Sequence, residues 1–321
     1  MYDEEHILRI EDLKVEFPIS IGTVRAVNGV DLELVRGEVM GLVGESGCGK
    51  STLGFSILRL LRPPGRISGG RIIYNGHDIV QMGQEELLAL RGSKIAMIFQ
   101  DPLTSLNPLF SIGEHFVETL RAHERGISKK DALERSEKVL ESLGIAGERL
   151  REYPHQMSGG MRQRIMIGLA LILNPDLLIA DEPTTALDVI VEAQFLDLLD
   201  DLRKQYNLTI ILITHNLGNV AQLADRITVM YGGTIAEVGP AQSIFDEPLH
   251  PYTQGLLASI PNIKLDQPEL KTMPGSPPDL VDPPSGCVFH PRCPHVMDLC
   301  TKERPPVFAR NGHRMSCWLY R

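Results

Sequence analysis

Short apolar runs flanked by glycine and proline recur early in the chain, at Leu8–Ile10, Asp31–Leu34, Glu38–Val43, Arg71–Tyr74 and Lys94–Phe99. Runs of that length between turn residues read as β-strands. Residues 101–157 are helix-rich. Between Lys129 and Leu143, positions Leu133, Ser136, Val139, Leu140 and Leu143 fall at helical spacing and predict one buried stripe. Beyond residue 158 the two periods alternate. A helix near 159–173 precedes a strand at Leu177–Ala180, and a helix over about 189–206 precedes a strand at Thr209–Thr214. Strands alternating with helices imply a largely parallel sheet covered by helices. From about Ser259 this patterning stops. Half of the 22 prolines lie in residues 259–321, and no helical periodicity survives there. A segment of this kind builds a core with difficulty and usually needs a covalent or metal staple.

Composition changes this picture little. The 321 residues, 43 % apolar and 23 % charged, suit a globular protein of one large or two smaller domains. The longest apolar run, Ile165–Leu173 with Gly168 inside it, falls far short of the roughly 20 residues of a membrane span. The opening MYDEEHILRI is acidic and no apolar signal segment follows, so a cytoplasmic chain is expected. The net charge of −9 argues against a nucleic-acid partner.

The chemistry begins at Gly44-Glu45-Ser46-Gly47-Cys48-Gly49-Lys50-Ser51, which satisfies GxxxxGK[ST]. An apolar strand, Val39–Val43, precedes it and a helical pattern, Ser51–Leu61, follows. Glycines there let successive backbone N–H groups turn inward around phosphate oxygens, and the helix N-terminus adds partial positive charge. Lys50 would reach the β- and γ-phosphates and the Ser51 hydroxyl would ligate Mg²⁺. Thr52 extends the nucleotide-binding set. Cys48 occupies a variable position and reads as a tolerated small residue. Kinases, GTPases and helicases all remain open on this loop alone.

A second motif narrows the choice. Leu177-Leu178-Ile179-Ala180 lead into Asp181-Glu182, and a buried strand ending in Asp then Glu is a Walker B pattern. Asp181 would hold Mg²⁺ and Glu182 would polarise the attacking water as general base. The pair continues as Pro183-Thr184-Thr185-Ala186-Leu187-Asp188. Ser158-Gly159-Gly160-Met161-Arg162-Gln163-Arg164 resembles the signature motif of ABC ATPases, with Met161 where Gln is commonest and Gln163 retained. Gln100, after the strand Ile95–Phe99, is similar to the family's Q-loop. His215, after Ile210–Thr214, is similar to its switch histidine, and Asp188 to its D-loop.

The resemblance implies an α/β P-loop NTPase (RecA-like) core with an N-terminal β subdomain, a helical subdomain at about 101–160 and a small Cys-rich C-terminal extension. The ATPase domain would span 1–258 and the extension 259–321. It also implies that Gln100 senses the γ-phosphate and Mg²⁺, and that His215 orients the water-activating group. Ser158, Gly159, Gly160 and Gln163 would face the nucleotide of an opposite subunit, so that two ATP molecules are sandwiched at a dimer interface. Phe17 is the candidate platform for the adenine ring, with a core Phe as the alternative.

The chain has one cassette, no fused membrane spans and no long coiled-coil insertion. This favours an importer subunit over the ABC proteins of DNA repair or translation. Gly44–Gly47, Gln100-Asp101-Pro102-Leu103-Thr104-Ser105-Leu106-Asn107-Pro108, Tyr153–Gly160 and His250-Pro251-Tyr252-Thr253 resemble the oligopeptide/dipeptide importer ATPases, and the resemblance covers nearly the whole chain. It implies a partner ATPase in a heterodimer, two permeases, an extracytoplasmic binding protein, and a place on the cytoplasmic face of the membrane. Nickel and some sugar importers use close relatives.

Four of the five cysteines, Cys287, Cys293, Cys300 and Cys317, lie in the tail. A cytosolic cluster points to metal or redox chemistry before disulfides. Four thiolates suit a [4Fe–4S] cluster or a tetrahedral zinc, to which His290 or His295 could contribute. Unligated thiols are the plain alternative. Resemblance to the subfamily's extension implies the iron–sulfur cluster.

Overall fold

A computed structural model describes residues 5–100, 105–185, 187–259 and 273–321. The acidic opening residues 1–4 and residues 260–272 of the tail lie outside the described residues. The chain forms two compact units, one of Met1–Gln81 with Leu212–Arg321, the other of Met82–Ile211.

The first unit begins with strands β1 (His6–Ile19) and β2 (Gly22–Val35), a long antiparallel hairpin. Both exceed the short strands the sequence predicts. Register shifts flank Asp12, which takes a left-handed φ of 43°, so the period-2 alternation breaks inside β1 and only its first half reads as a run. The core strand β3 (Val39–Val43) leads through the phosphate loop into α1 (Lys50–Ile57). This helix stops short of the predicted Leu61. Arg59 turns left-handed at φ 49°, and Pro63 follows close behind, disfavouring helix in the residue before it. Strands β4 (Arg66–Tyr74) and β5 (His77–Asp78) complete a four-stranded antiparallel sheet in the order β2-β1-β4-β5.

The second unit comprises α2 (Gln84–Leu90), β6 (Ile95–Ile98), α3 (Ile112–His123), α4 (Lys129–Ser142), α5 (Gly159–Leu171), β7 (Leu177–Asp181), α6 (Val189–Tyr206) and the start of β8 (Thr209–Ile213). Strands β6 and β7 pair in parallel. The core of the helices gathers Ile112, Phe116, Leu120, Ala132, Leu140, Ile165 and Met166. The polar member of the predicted stripe, Ser136, is buried there because its hydroxyl donates to the Ala132 carbonyl at 2.6 Å.

The chain returns to the first unit with α7 (Leu217–Leu223), β9 (Arg226–Tyr231), β10 (Thr234–Pro240), α8 (Ala241–Asp246), α9 (Pro251–Ala258), α10 (Asp298–Lys302), β11 (Phe308–Arg310) and β12 (His313–Met315). Here the expectation of a largely parallel sheet needs correction. Strand β3 pairs parallel with β9, as β6 does with β7, whereas β9–β10, β10–β12 and β12–β11 are antiparallel, so the pairing is mixed. The Gly232-Gly233 turn is too short for the crossover that a parallel neighbour requires. Among the described residues no helix is long and apolar enough to cross a membrane.

The proline-rich tail has no core of its own and joins that of the cassette. Phe289, Val288, Cys287 and Cys293 pack with Tyr231, Tyr252 and Ile244. A buried polar knot fastens it further. Glu237 on β10 is fully buried, and its Oε1 meets His313 Nδ1 of β12 at 2.8 Å. The same carboxylate accepts the N–H groups of Leu249 (2.9 Å) and His250 (3.0 Å). His250 caps α9 by accepting the Tyr252 N–H at 3.0 Å.

Burial lowers the pKa of His250 from 6.5 to about 4, against the opposing pull of Glu237. The unfolded chain binds a proton in this window that the folded chain refuses, so stability falls as pH drops below 6.5. The loss should reach about 2 kcal/mol by about pH 5. His250→Asn keeps a capping acceptor and removes the titration. Its urea midpoint should change less than that of the unaltered protein between about pH 7 and about pH 5; equal losses in both would remove His250 as the cause.

Candidate functional site

In the first unit the phosphate loop is shaped by backbone that only glycine adopts readily. Gly49 has φ +104°, and a Cβ on it would lie 2.2 Å from the Ala26 carbonyl oxygen. Gly47 has φ +78° with open space around it, so conformation rather than packing requires glycine there. The buried Lys50 ammonium spans the loop, donating to the carbonyls of Gly44 at 2.8 Å and Glu45 at 3.0 Å. Ser46 and Gly47 are exposed, whereas Ser51 and Thr52 lie half-buried in the first turn of α1. Cys48 points inward. Burial raises its pKa, against the pull of Lys50 3.8 Å away, so it stays a neutral packing group. Phe17 is half-buried at the end of β1, with its ring set against Gly65. His215 is exposed immediately after buried Thr214, ahead of α7, whose N-cap is Asn216.

Two residues outside the predicted set hold Glu45. Its N–H donates to the Tyr252 hydroxyl at 2.9 Å, and its carboxylate receives both terminal nitrogens of Arg292, at 2.7 and 3.0 Å. Both lie within the sequence stretches that carry the subfamily resemblance, but nothing in their spacing says that they reach the phosphate loop.

In the second unit β7 is buried throughout and delivers Asp181 at its end, 2 % exposed. The next residue, Glu182, takes φ 45°. A left-handed backbone at a non-glycine residue costs on the order of 1–3 kcal/mol and tends to collect at functional positions. Its Oε2 accepts from Gln100 Nε2 at 3.2 Å and from Thr185 Oγ1 at 3.1 Å. Sequence reasoning gave Gln100 and Glu182 separate roles and passed over Thr185, whose place three residues after Glu182 is the available signal. Asp188 caps α6, its carboxylate accepting the N–H groups of Ile190 and Val191. Asp101, Pro102, Leu103, Thr104 and Ala186 of the quoted motifs lie outside the described residues.

The signature residues divide in two. Ser158 caps α5 and is exposed, as is Gly159. A Cβ on Gly159 would meet nothing within 4 Å, and its φ is not positive, so neither packing nor conformation of this chain demands a glycine there. Gly160 lies closer in, where a Cβ would touch Val191. Gln163 makes its contact within the chain. It is buried and its amide donates to the Pro183 carbonyl, so it braces the loop after β7 from within its own chain.

In the tail all four cysteines are free thiols. The Cys287 N–H donates to the Cys300 carbonyl at 2.8 Å. Burial pushes the Cys317 thiol up to about 11, and Cys287, Cys293 and Cys300 are near enough to add to the shift. Among the described residues no three His, Cys, Asp or Glu side chains stand in a metal-holding arrangement.

Comparison with known proteins decides the family. The ABC transporter family matches residues 27–185, and the C-terminal region of oligopeptide/dipeptide transporters matches residues 236–300. A dipeptide transport ATP-binding protein of Bacillus subtilis is 48 % identical over 319 residues, covering 98 % of this chain and 95 % of its own. An oligopeptide transport ATP-binding protein of Salmonella typhimurium is 46 % identical, covering 97 % and 93 %. The chain belongs to the ABC transporter ATP-binding subunits. The dimeric structure of a bacterial ABC transporter cassette superposes with a TM-score of 0.65 at 26 % identity, covering 73 % of this chain and 98 % of that one. The structure of cbiO1 from Clostridium perfringens, part of an ABC transporter complex, does so with 0.65 at 30 %, covering 76 % and 92 %. The fold is therefore the ABC ATPase cassette, and the chain is an ATPase.

Glu182→Gln is expected to leave nucleotide binding intact and to cut ATP turnover about 10²- to 10⁴-fold. Measuring nucleotide affinity and turnover side by side in the assembled transporter checks both halves, and near-normal turnover would remove Glu182 from the chemistry.

Proposed function

We propose that this chain powers the import of di- or oligopeptides through membrane permeases, from the cytoplasmic face of the membrane. The observation that carries the reading is the match of residues 236–300 to the peptide-transporter C-terminal region, within relatives similar along nearly the whole chain. Lys50 and the amides of Ser46–Ser51 hold the phosphates, Phe17 stacks on the adenine, and Glu182 activates water, with His215 and Gln100 reporting the γ-phosphate. Hydroxyl, carboxylate and amide oxygens are the hard donors Mg²⁺ takes, and Ser51, Asp181 and Gln100 supply one of each. Asp181, at the closed end of β7, is the anionic member of that set. The ion would neutralise phosphate charge during transfer.

The exposed faces support an assembly. Gly159 has no intrachain reason to be glycine, which fits a signature helix whose N-terminus approaches a neighbour's nucleotide. Val189 and Ile190, beside Asp188, are 80 % and 72 % exposed and would be covered by a second ATPase, a heterodimeric partner in this reading. Leu109, Phe110 and Tyr153 are exposed on the helical region, and the Ile112 N–H bonds the Glu152 carbonyl at 2.8 Å, tying their two segments together. They form the surface for a permease loop. Two permeases and an extracytoplasmic binding protein complete the complex. Reconstituted transport tested with peptides, nickel and oligosaccharides checks the substrate. Uptake of nickel or sugar without peptide would overturn the peptide reading. ATPase activity of the isolated chain should be low and rise with concentration; full activity in dilute monomer would overturn the shared site.

For the tail we infer a structural [4Fe–4S] cluster on Cys287, Cys293, Cys300 and Cys317, with zinc the alternative. Soft thiolates suit either metal, and the gathering of four of the five cysteines in residues 287–317, in a stretch that resembles the subfamily's extension, is what supports a common site. Closing them on a metal would supply covalent ties to a segment without a core. Anaerobic purification should give a brown protein absorbing broadly near ~400 nm with about four irons per chain. A colourless preparation with stoichiometric zinc and no iron would overturn the cluster and leave the ATPase untouched.

A further inference from the structure

We propose that Arg292 of the tail is a positioning residue for the phosphate loop, acting through Glu45. The inference rests on the reading of that loop as the phosphate holder. Arg292 and Glu45 stand 247 positions apart, and they meet as a two-pronged pair at 2.7 and 3.0 Å. The Arg292 side chain is 5 % exposed and that of Glu45 25 %. Such a pair is shielded from solvent screening, and removing one member strands the other's charge.

Each atom group around the pair is fixed in turn. Arg292 Nε donates to the Pro274 carbonyl at 2.8 Å and Nη1 to the Tyr231 hydroxyl at 3.3 Å. The guanidinium lies 5.7 Å from the Tyr231 ring centre, and that ring packs on Tyr252 and Phe289 at 4.5 and 5.1 Å. Tyr252 then accepts the Glu45 N–H. Glu45 is thus gripped at its carboxylate and at its backbone nitrogen by side chains outside the loop. Its carbonyl oxygen takes the third bond, from Lys50. The residue that Arg292 clamps is therefore one of the two, with Gly44, on whose carbonyls the phosphate-binding lysine rests.

Only a planar fork satisfies both carboxylate oxygens while a third nitrogen reaches Pro274, so lysine is a poor substitute. The arrangement links two equilibria. Whatever loosens the turn at His290–Arg292 loosens the seat of Lys50, and nucleotide on the loop strengthens the hold on the tail by the same factor.

The test uses the full chain with Arg292→Met, Arg292→Lys, Glu45→Gln and the Glu45→Gln/Arg292→Met pair. Affinity for a fluorescent ATP analogue is measured on the purified proteins, and KM and kcat for ATP in the assembled transporter. Arg292→Met should weaken affinity and raise KM about tenfold, with kcat within about twofold. Arg292→Lys should recover only part of the loss, and the pair should be no worse than its worse member. A general folding defect would instead lower the amount of active protein and leave KM alone. Should Arg292→Met not fold, Arg292→Lys and the doubly substituted protein, the latter stranding no charge, carry the comparison. Affinities within about twofold of the unaltered protein, or losses that simply add in the pair, overturn the proposal. An unaltered chain that fails to bind the analogue would instead overturn the reading of the loop itself.

Discussion

A strand must end and a helix must begin between Val43 and Lys50, with the intervening amides turned toward one point. That geometry is unfavourable for ordinary residues. Gly47 and Gly49 meet it with positive φ, and the Ala26 carbonyl leaves no room at Gly49 for a side chain. Such a loop is soft by composition, so its shape has to be imposed from outside. Lys50 bonds it from within, Tyr252 and Arg292 hold Glu45, and Gly233 N–H donates to the Cys48 carbonyl at 3.0 Å. The hold reaches residues from three distant parts of the chain, which is why the site cannot be understood from its motif alone.

How much of this was legible depends on the range of the interaction that fixes it. The phosphate loop, the β7 strand with its Asp-Glu end, and the helix at Lys129–Ser142 are set by local period and by glycine, and they read directly from the sequence. The antiparallel hairpin of β9 and β10 was not read although the Gly232-Gly233 pair marks it, whereas the pairing of β10 with β12 joins segments far apart in sequence and leaves no local signature. Nor was the length of β1, since a bulge erases the alternation that would have announced it. Gln163 illustrates a third limit. A motif names the residue, whereas burial decides that its amide serves Pro183 within the same chain.

Glu182 shows how the second unit concentrates cost at one point. Its backbone is left-handed while its carboxylate takes hydrogen bonds from Gln100 and Thr185. Two donors on one oxygen fix its direction, and a group so fixed gives up little orientational entropy when it acts. The strain is sustained because β7 on one side is wholly buried and the Asp188-capped helix on the other is firmly started.

The tail follows the opposite logic. It lacks periodicity, yet it contributes β12 to a sheet edge, Phe289 to a core and His313 to a buried carboxylate. A segment that takes its apolar core from elsewhere is not expected to fold before its host. Since Arg292 is among those contacts and ends on Glu45, the tail completes the host as well. Stability and nucleotide geometry in this unit therefore share one set of interactions. A substitution in the tail that merely lowers stability and one that alters the phosphate loop differ by whether the path through Tyr231, Arg292 and Glu45 is touched.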